Sequence, residues 1–474
     1  MTEATLTARP AGISPDTELG TPPATGAAGL VHRGGRWIDG WDPEDLAQWE
    51  GPGRAIAKRN LVWSIFAEFL GFVIWQLWSI VAVLLPTAGF SLDSSQIFWL
   101  ISIPSLVGAT LRIPYSFLVP IFGGRNWTII SAGLLLIPAI AMAVCVGNPD
   151  TPFGVLLLVA ALAGFGGGNF ASSMSNITFF YPQREKGWAL GLNAAGGNLG
   201  ASVAQFVVPI VVTIGAGAAL NLPLAGWIWV PLILFAMVGA ALRMNNLSSA
   251  KADFSGSAAA LREPHLWLLS LLYIGTFGSF IGFASVFPKL IADQFPEFSS
   301  IAVGTAAVSL AFLGALVGSL ARPYGGRLSD RFGGARVTMG AFAAMAVMTV
   351  AVIFVLPTGQ FWLFLGCFLL LFAAAGAGNG STYRMVPVVF ALRGSGDAAT
   401  GGDVSSKRKA AAALGLISAI GAYGGFLIPQ ALNLSRQATG TYTGAFLVFV
   451  LAYVALLVLT GVLYGRVRRD GFRI

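Results

Sequence analysis

Leu111-Arg112-Ile113-Pro114-Tyr115, followed by Phe122-Gly123-Gly124, sets a guanidinium inside a run that is otherwise apolar. The chain repeats the device as Ala321-Arg322-Pro323-Tyr324 and Phe332-Gly333-Gly334, with the same ten-residue step from Arg to Phe and an offset of 210 positions. Further distances recur. Asn169, in Gly164-Phe165-Gly166-Gly167-Gly168-Asn169, follows Arg112 by 57 residues, and Asn379, in Gly376-Ala377-Gly378-Asn379-Gly380, follows Arg322 by 57. Leu190-Gly191-Leu192 with Gly197 and Gly200 returns as Leu414-Gly415-Leu416 with Gly421 and Gly424. The offset there is 224, because the connection Arg393–Lys409 is longer than Gln183–Lys186. The chain reads as two copies of one unit.

The unit is made for a bilayer. Of 474 residues 56% are hydrophobic and 10% charged, against about 25% charged for an ordinary soluble domain. Apolar runs of membrane-spanning length recur along nearly the whole chain, which predicts an all-α polytopic membrane protein. Twelve spans are expected, at about 60–85, 96–119, 127–147, 153–178, 188–214, 226–243, 265–288, 301–323, 336–357, 361–390, 410–432 and 443–465. The polar connection 244–264 divides them into two pseudo-symmetric six-helix bundles, 60–243 and 265–465. Residues 1–59 are expected to be a cytoplasmic tail, with the aromatic stretch Trp37–Trp49 resting on the membrane or on cytoplasmic loops, and 466–474 a basic tail.

Basic residues assign the sides. Arg125, Arg184, Lys186, Arg243, Lys251 and Arg262 fall on one face, as do Arg327, Arg331, Arg336, Arg393, Lys407, Arg408, Lys409 and the C-terminal arginines; the other face holds only Lys289 and Arg436. The positive-inside rule then puts both termini in the cytoplasm and the chain in the cytoplasmic (inner) membrane. The formal charge of +8 is explained by those loops, so no nucleic-acid partner is expected. Cys145 and Cys367 lie in apolar runs, and His32 and His265 in a tail and near a helix end; no disulfide, metal or cofactor is expected. The N-terminal residues lack a basic and then apolar leader pattern, so no cleaved signal peptide is expected.

A charge at mid-bilayer costs several kcal/mol even on the gentler insertion scales, so Arg112 and Arg322 must face protein or water. The bland alternative is a packing clamp with a carboxylate, but apart from Glu68 the spans are nearly free of Asp and Glu. Two guanidiniums at equivalent places in two halves meet across a central cavity and repel unless an anion lies between them. The planar fork of Arg donates two parallel bonds to an oxyanion, where Lys is a point charge. A small monoanion fits; neutral sugars do not. The glycines Gly164–Gly168, Gly191, Gly196, Gly197 and Gly200 make smooth helix faces for close packing. The interleaved Asn169, Ser172, Ser173, Asn176, Asn193 and Asn198 either donate to the anion without adding charge or bridge helices.

Three stretches carry a resemblance: Gly166-Gly-Gly-Asn-Phe-Ala-Ser-Ser-Met, Gly187-Trp-Ala-Leu-Gly-Leu-Asn-Ala-Ala-Gly-Gly-Asn-Leu-Gly and Gly378-Asn-Gly-Ser-Thr-Tyr-Arg-Met-Val-Pro. They resemble the nitrate signature motifs of the nitrate/nitrite porter (NarK-type) family of the major facilitator superfamily, and the resemblance runs from about Trp41 to the C-terminus. Arg322-Pro-Tyr-Gly-Gly-Arg-Leu-Ser-Asp-Arg-Phe-Gly-Gly also resembles the superfamily's cytoplasmic-loop motif, whose first-half copy here lacks the Asp. The resemblance implies an anion clamped between Arg112 and Arg322, aromatic rings around it at Phe72, Phe170, Tyr273 and Phe277, and the signature Asn at Asn198. It implies further that the glycine faces of the fifth and eleventh spans, Gly191, Gly197, Gly200, Gly421 and Gly424, let the halves rock in alternating access.

Glu68 departs from that pattern. It sits about eight residues into the first span, one turn before Phe72, and an intramembrane carboxylate is a functional candidate by default. It either carries a proton with the substrate, forms a salt bridge near the inner headgroups, or faces a cytoplasmic water cavity. The expected function is therefore secondary transport of nitrate and nitrite by a monomer in the lipid bilayer, by exchange or with protons. The alternatives are a carrier of another small monovalent anion and a nitrate sensor that moves nothing, for which the tails are too short to hold a signalling domain. No nucleophile–base set or phosphate loop points to an enzyme.

Overall fold

The computed structural model of the chain describes residues 29–214, 220–251, 254–303, 306–394, 413–465, 468–469 and 472–473. Residues 1–28 of the expected tail, the basic Lys407–Lys409 and most of 466–474 lie outside them.

Twelve long helices make up the body: α1 Arg54–Leu84, α2 Ser94–Phe122, α3 Gly124–Cys145, α4 Phe153–Phe180, α5 Gln183–Thr213, α6 Leu224–Arg243, α7 Pro264–Gln294, α8 Phe312–Phe332, α9 Gly334–Thr358, α10 Phe361–Gly394, α11 Ala413–Thr439 and α12 Thr443–Leu463. By length and composition, eleven helical segments are long and apolar enough to cross a membrane among the described residues. The one that is not is α8, whose 21 residues include Arg322, Arg327, Asp330 and Arg331. It is nonetheless packed on α10 of its own half and α5 of the other; protein buries Arg322, while Arg327, Asp330 and Arg331 are exposed toward the end of the helix.

The expected eighth span, 301–323, is displaced. Ile301–Val303 (β4) and Ala306–Val308 (β5) pair as an antiparallel hairpin, and the helix begins only at Phe312 and runs to Phe332. Small and β-branched residues in 301–308 suit a hairpin, while Pro323 is accommodated inside the helix. Both members of the Phe-Gly-Gly repeat end their helix the same way. Gly123 (φ 88°) caps α2 and Gly333 (φ 92°) caps α8, in the left-handed region that only glycine enters freely.

The helices pack by the same rule in each half. In the first, α1 lies along α5 and α2 along α4; in the second, α8 lies along α10 and α9 along α10 and α12. The halves meet where α2 touches α11, α5 touches α8 and α1 touches α7. The first two contacts exchange under the repeat, as a pseudo-two-fold relation requires.

At the end holding the chain termini, the boundary expected at residue 59 moves to 53. Residues Leu30–Gly53 are packed against the body, and α1 starts at Arg54. Val31–Arg33 (β1) and Trp37–Asp39 (β2) pair antiparallel, and β2 pairs parallel with Asn246–Leu247 (β3) of the connection between the halves. Trp41 and Trp49 are buried against Phe180 and Tyr181; their indole N–H groups donate to the Phe179 carbonyl and Glu185 Oε1, each at 3.1 Å. Arg36 and Arg59 donate to the Met244 and Arg243 carbonyls at the C-terminus of α6. A buried indole outweighs the polar composition around it, so this stretch is ordered where its Pro and Gly content suggested a tail. Trp49→Ala is expected to cost about 3 kcal/mol, read as a fall in thermal midpoint of the purified protein; an unchanged midpoint would mean the stretch contributes nothing to stability.

Candidate functional site

The site residues come from the interfacial helices α1, α2, α5, α7, α8 and α11 and from α4 and α10. Arg112 on α2 and Arg322 on α8 are 0% and 5% exposed, and they stand over the same ring. The Arg112 guanidinium lies 4.5 Å from the centroid of Phe170 on α4, and that of Arg322 lies 5.7 Å from it. Arg112 is further enclosed by Trp75 of α1 at 5.2 Å and Phe277 of α7 at 5.1 Å, and Arg322 by Tyr383 of α10 at 5.6 Å. Phe277 stacks on Phe170 at 6.2 Å and on Tyr273 at 5.3 Å, so the rings form a continuous aromatic wall drawn from both halves. The positive charge is spread over π faces, which attract it more strongly where water is excluded.

Neither arginine has a carboxylate partner in a salt bridge among the described residues. Arg112 is held by neutral acceptors instead: its Nε donates to the Gly167 carbonyl at 3.1 Å, and its Nη1 to the Ser418 carbonyl at 2.9 Å and hydroxyl at 3.3 Å. Ser418 belongs to α11, so this arginine also ties the halves together. Nη2 of Arg112 and Nη1 of Arg322 are buried without a hydrogen-bond partner. So are both side-chain atoms of Asn169, Asn198 and Asn379, and the Tyr273 hydroxyl. Unsatisfied buried donors are rare and call for an explanation; the free nitrogens of two guanidiniums that share the Phe170 ring are suited to an anion with several oxygens.

The structure gathers Arg112, Arg322, Phe170, Tyr273 and Phe277 at one place. Phe72 stands one ring behind, edge-on to Trp75 at 5.3 Å and to Phe170 at 6.1 Å. Trp75, Tyr383 and Ser418 were missed by sequence reasoning. Tyr383 lies within the quoted motif Gly378-Asn-Gly-Ser-Thr-Tyr and was legible there; Trp75, one of many aromatics in the first span, and Ser418 carried no signal.

Glu68 on α1 is fully buried. Its Oε2 accepts from Asn193 Nδ2 at 2.6 Å, and Oε1 has no partner. No salt bridge to it occurs among the described residues, so the pairing expected near the headgroups is not what is seen. The same Asn193 nitrogen donates to Ser173 Oγ at 2.6 Å, and Ser173 meets Ser64 at 3.0 Å. Both guanidiniums lie within electrostatic reach of the carboxyl.

Four of the five signature glycines sit in the close helix packing expected of them. A Cβ on Gly197 would lie 2.2 Å from Glu68 Oε1, on Gly200 2.3 Å from the Phe69 carbonyl, on Gly421 2.3 Å from the Tyr273 ring and on Gly424 2.3 Å from Gly278 Cα. All four contacts are made to α1 or α7 within the same half, so these glycines fuse helices into rigid bodies rather than line the seam between bodies. Gly191 is exposed with nothing within 4 Å of such a Cβ. The glycine that does meet the other half is Gly425, against Ser105.

The seam is closed at the end away from the termini. Gln430 donates to Ser102 at 2.7 Å, Gln437 to Ser95 at 2.8 Å, Gln205 to the Ala284 carbonyl at 2.7 Å and Ser285 to Gln76 at 3.0 Å, each bond crossing between halves. Neutral amide and hydroxyl pairs are cheap to rehydrate, which suits an interface that must part.

The Major Facilitator Superfamily model matches residues 67–429. The chain is 43% identical over 450 residues to the nitrate/nitrite transporter NarU of Escherichia coli (strain K12), covering 90% of this chain and 96% of that protein. It is 45% identical over 457 residues to the NarU of Salmonella typhimurium, covering 90% and 96%. It is 37% identical over 457 residues to the probable nitrate/nitrite antiporter NarK2 of Thermus thermophilus, covering 91% and 97%. Among solved structures, a bacterial homologue of the human lysosomal transporter Spinster aligns with a TM-score of 0.60 at 17% identity, over 87% of this chain and 97% of that one. A point mutant of the nucleoside transporter NupG aligns at 0.58 and 13%, over 85% and 99%. Those two likenesses speak for the fold alone. With the paired arginines, the internal repeat and relatives matched along nearly their full length, the chain belongs to the nitrate/nitrite porter family of the Major Facilitator Superfamily.

Proposed function

We propose that the chain carries nitrate and nitrite across the membrane by alternating access, with the anion held between Arg112 and Arg322. The observation that carries this reading is that the two guanidiniums share the Phe170 ring, each with a buried nitrogen left without a partner. Nitrate and nitrite are planar monoanions. They present oxygens to both forks while their flat faces lie against aromatic rings. Asn198, Asn169 and Asn379 supply neutral donors, and Tyr273 and Phe277 the second wall. Both arginines come from one chain, so a monomer suffices, and the excess of basic residues in the loops of one face supports cytoplasmic termini.

An empty site leaves two buried like charges facing each other. This disfavours closure without an anion and couples movement in one direction to movement in the other, which is exchange. The test is counterflow in proteoliposomes: nitrite efflux is expected to depend on external nitrate and to be blocked by it when both are on the same side. Efflux that ignores external nitrate would overturn exchange.

Glu68 favours a second coupling. An ionised carboxylate within electrostatic reach of both arginines stands in for the anion when the site is empty, and taking up a proton as nitrate binds returns that role to nitrate. Import with a proton then becomes available without a counter-anion. Glu68→Gln is expected to abolish nitrate accumulation driven by an inward pH gradient and to spare nitrate/nitrite counterflow. If the unaltered protein shows no such accumulation, the carrier is an exchanger and Glu68 is structural.

A further inference from the structure

The mouth away from the termini is hostile to anions. Its connections carry Asp93, Asp150 and Glu297, and among the described residues its only cations are Lys289 and Arg436. Lys289 lies on α7 twelve residues beyond Phe277, about 18 Å along the helix from the arginine pair. It is 5% exposed, an expensive place for an ammonium. Its Nζ is bonded to Asp293 one turn on, and it stands 5.6 Å over the ring of Phe98, which belongs to α2 of the other half. Asp293 also accepts from the Arg436 guanidinium of α11 and from the Tyr442 hydroxyl. Phe98 closes edge-on upon Tyr442 at 6.2 Å. The cluster thus holds two cations and one carboxylate, an excess of one positive charge, at the seam where the halves must part.

Everything charged in the cluster belongs to the second half; the ring over Lys289 belongs to the first. When the seam opens, Phe98 leaves with α2, and the ammonium loses its ring and faces the mouth. An apolar side chain would seal against Phe98 without the desolvation cost, so sealing alone does not account for a lysine. We propose that Lys289, supported by Arg436, is an entry site that captures a small monovalent oxyanion at the open mouth and passes it inward. Gln76, Ser285 and Gln205, freed as the inter-half bonds break, line the way from there to the arginine pair. Asp293 orients Lys289 and weakens its hold, so that the anion can leave.

The inference rests on the transport reading, and the experiment separates the two: if the unaltered protein carries no nitrate, that reading fails first. Lys289→Gln, measured for uptake from the side of this mouth, is expected to raise KM for nitrate about tenfold while turnover at saturating nitrate is retained. The dependence of KM on ionic strength should flatten, and KM from the opposite side should stay unchanged. Asp293→Asn is expected to shift KM the other way. If Lys289→Gln leaves KM at low salt unaltered, or lowers turnover with KM unchanged, Lys289 is a latch and the entry site is wrong. Should that variant fail to fold, Asp293→Asn decides: a lowered KM supports the site, and an unchanged or raised one overturns it.

Discussion

Arg322→Lys lowers nitrate transport by about a hundredfold or more without unfolding the protein, and Arg112→Lys lowers it as far and also destabilises the fold. Lysine keeps the charge, so a response of this size separates the fork from the charge. At Arg322 the substitution removes one of two parallel donors to the anion and the flat face over Phe170 and Tyr383. A charge-assisted hydrogen bond contributes about 1.5–3 kcal/mol, and each 1.4 kcal/mol is tenfold, so losing one bond with its stacking accounts for about two orders of magnitude. At Arg112 the same loss is joined by the bonds to the Gly167 and Ser418 carbonyls, which no ammonium on a lysine stem reproduces together. The two variants should therefore agree in transport and differ in thermal midpoint. Near-normal uptake by either would show that point charges suffice and that the bidentate account is mistaken.

Gly200→Ala and Gly424→Ala reduce transport by more than about tenfold and lower the thermal midpoint, while Gly191→Ala does neither. The three glycines share a motif but not a surrounding. A methyl at Gly200 or Gly424 meets backbone, the Phe69 carbonyl and Gly278 Cα, each at 2.3 Å. Backbone cannot swing aside as a side-chain tip can, so α5 must back away from α1, or α11 from α7. Overpacking of this kind costs about 1–3 kcal/mol, and the retreat drags Phe72 on one side and Tyr273 and Phe277 on the other. At Gly191 the methyl meets nothing within 4 Å, and Ala is the better helix former by about 1 kcal/mol. Transport at the normal rate by Gly424→Ala would mean that α7 and α11 have slack the close contact does not suggest.

Much of the site was legible because the bilayer makes charge rare. Arg112, Arg322 and Glu68 stood out against apolar runs, and the repeat alone related the two arginines to each other. The aromatic wall was legible only through family resemblance, since a phenylalanine bound to a substrate and one packed in a core look the same in an apolar sequence; Phe72 was one rank too far back and Trp75 was passed over. The glycine motifs announce close helix packing, and Gly197, Gly200, Gly421 and Gly424 pack on α1 and α7 of their own halves. Glycine spacing marks a face for close approach, and nothing in spacing names the helix that approaches. The eighth span is displaced for a related reason: Ile, Val and Ala in 301–303 and 306–308 are apolar enough to pass for helix, and the antiparallel pairing they form is a tertiary choice.

The sequence alone determined that this chain is a twice-repeated helical membrane protein with an arginine at each equivalent mid-membrane position, because a charge in hydrocarbon and a recurring interval are local facts. Only the tertiary structure decided that both arginines share Phe170, that Arg112 reaches Ser418 in the other half, and that Glu68 bonds Asn193 rather than a cation. It alone also decided that Lys289 lies under a ring of the opposite half. Each of these is a contact between residues far apart in the chain, set by how twelve helices share limited space, and the hydropathy of any single helix is blind to it.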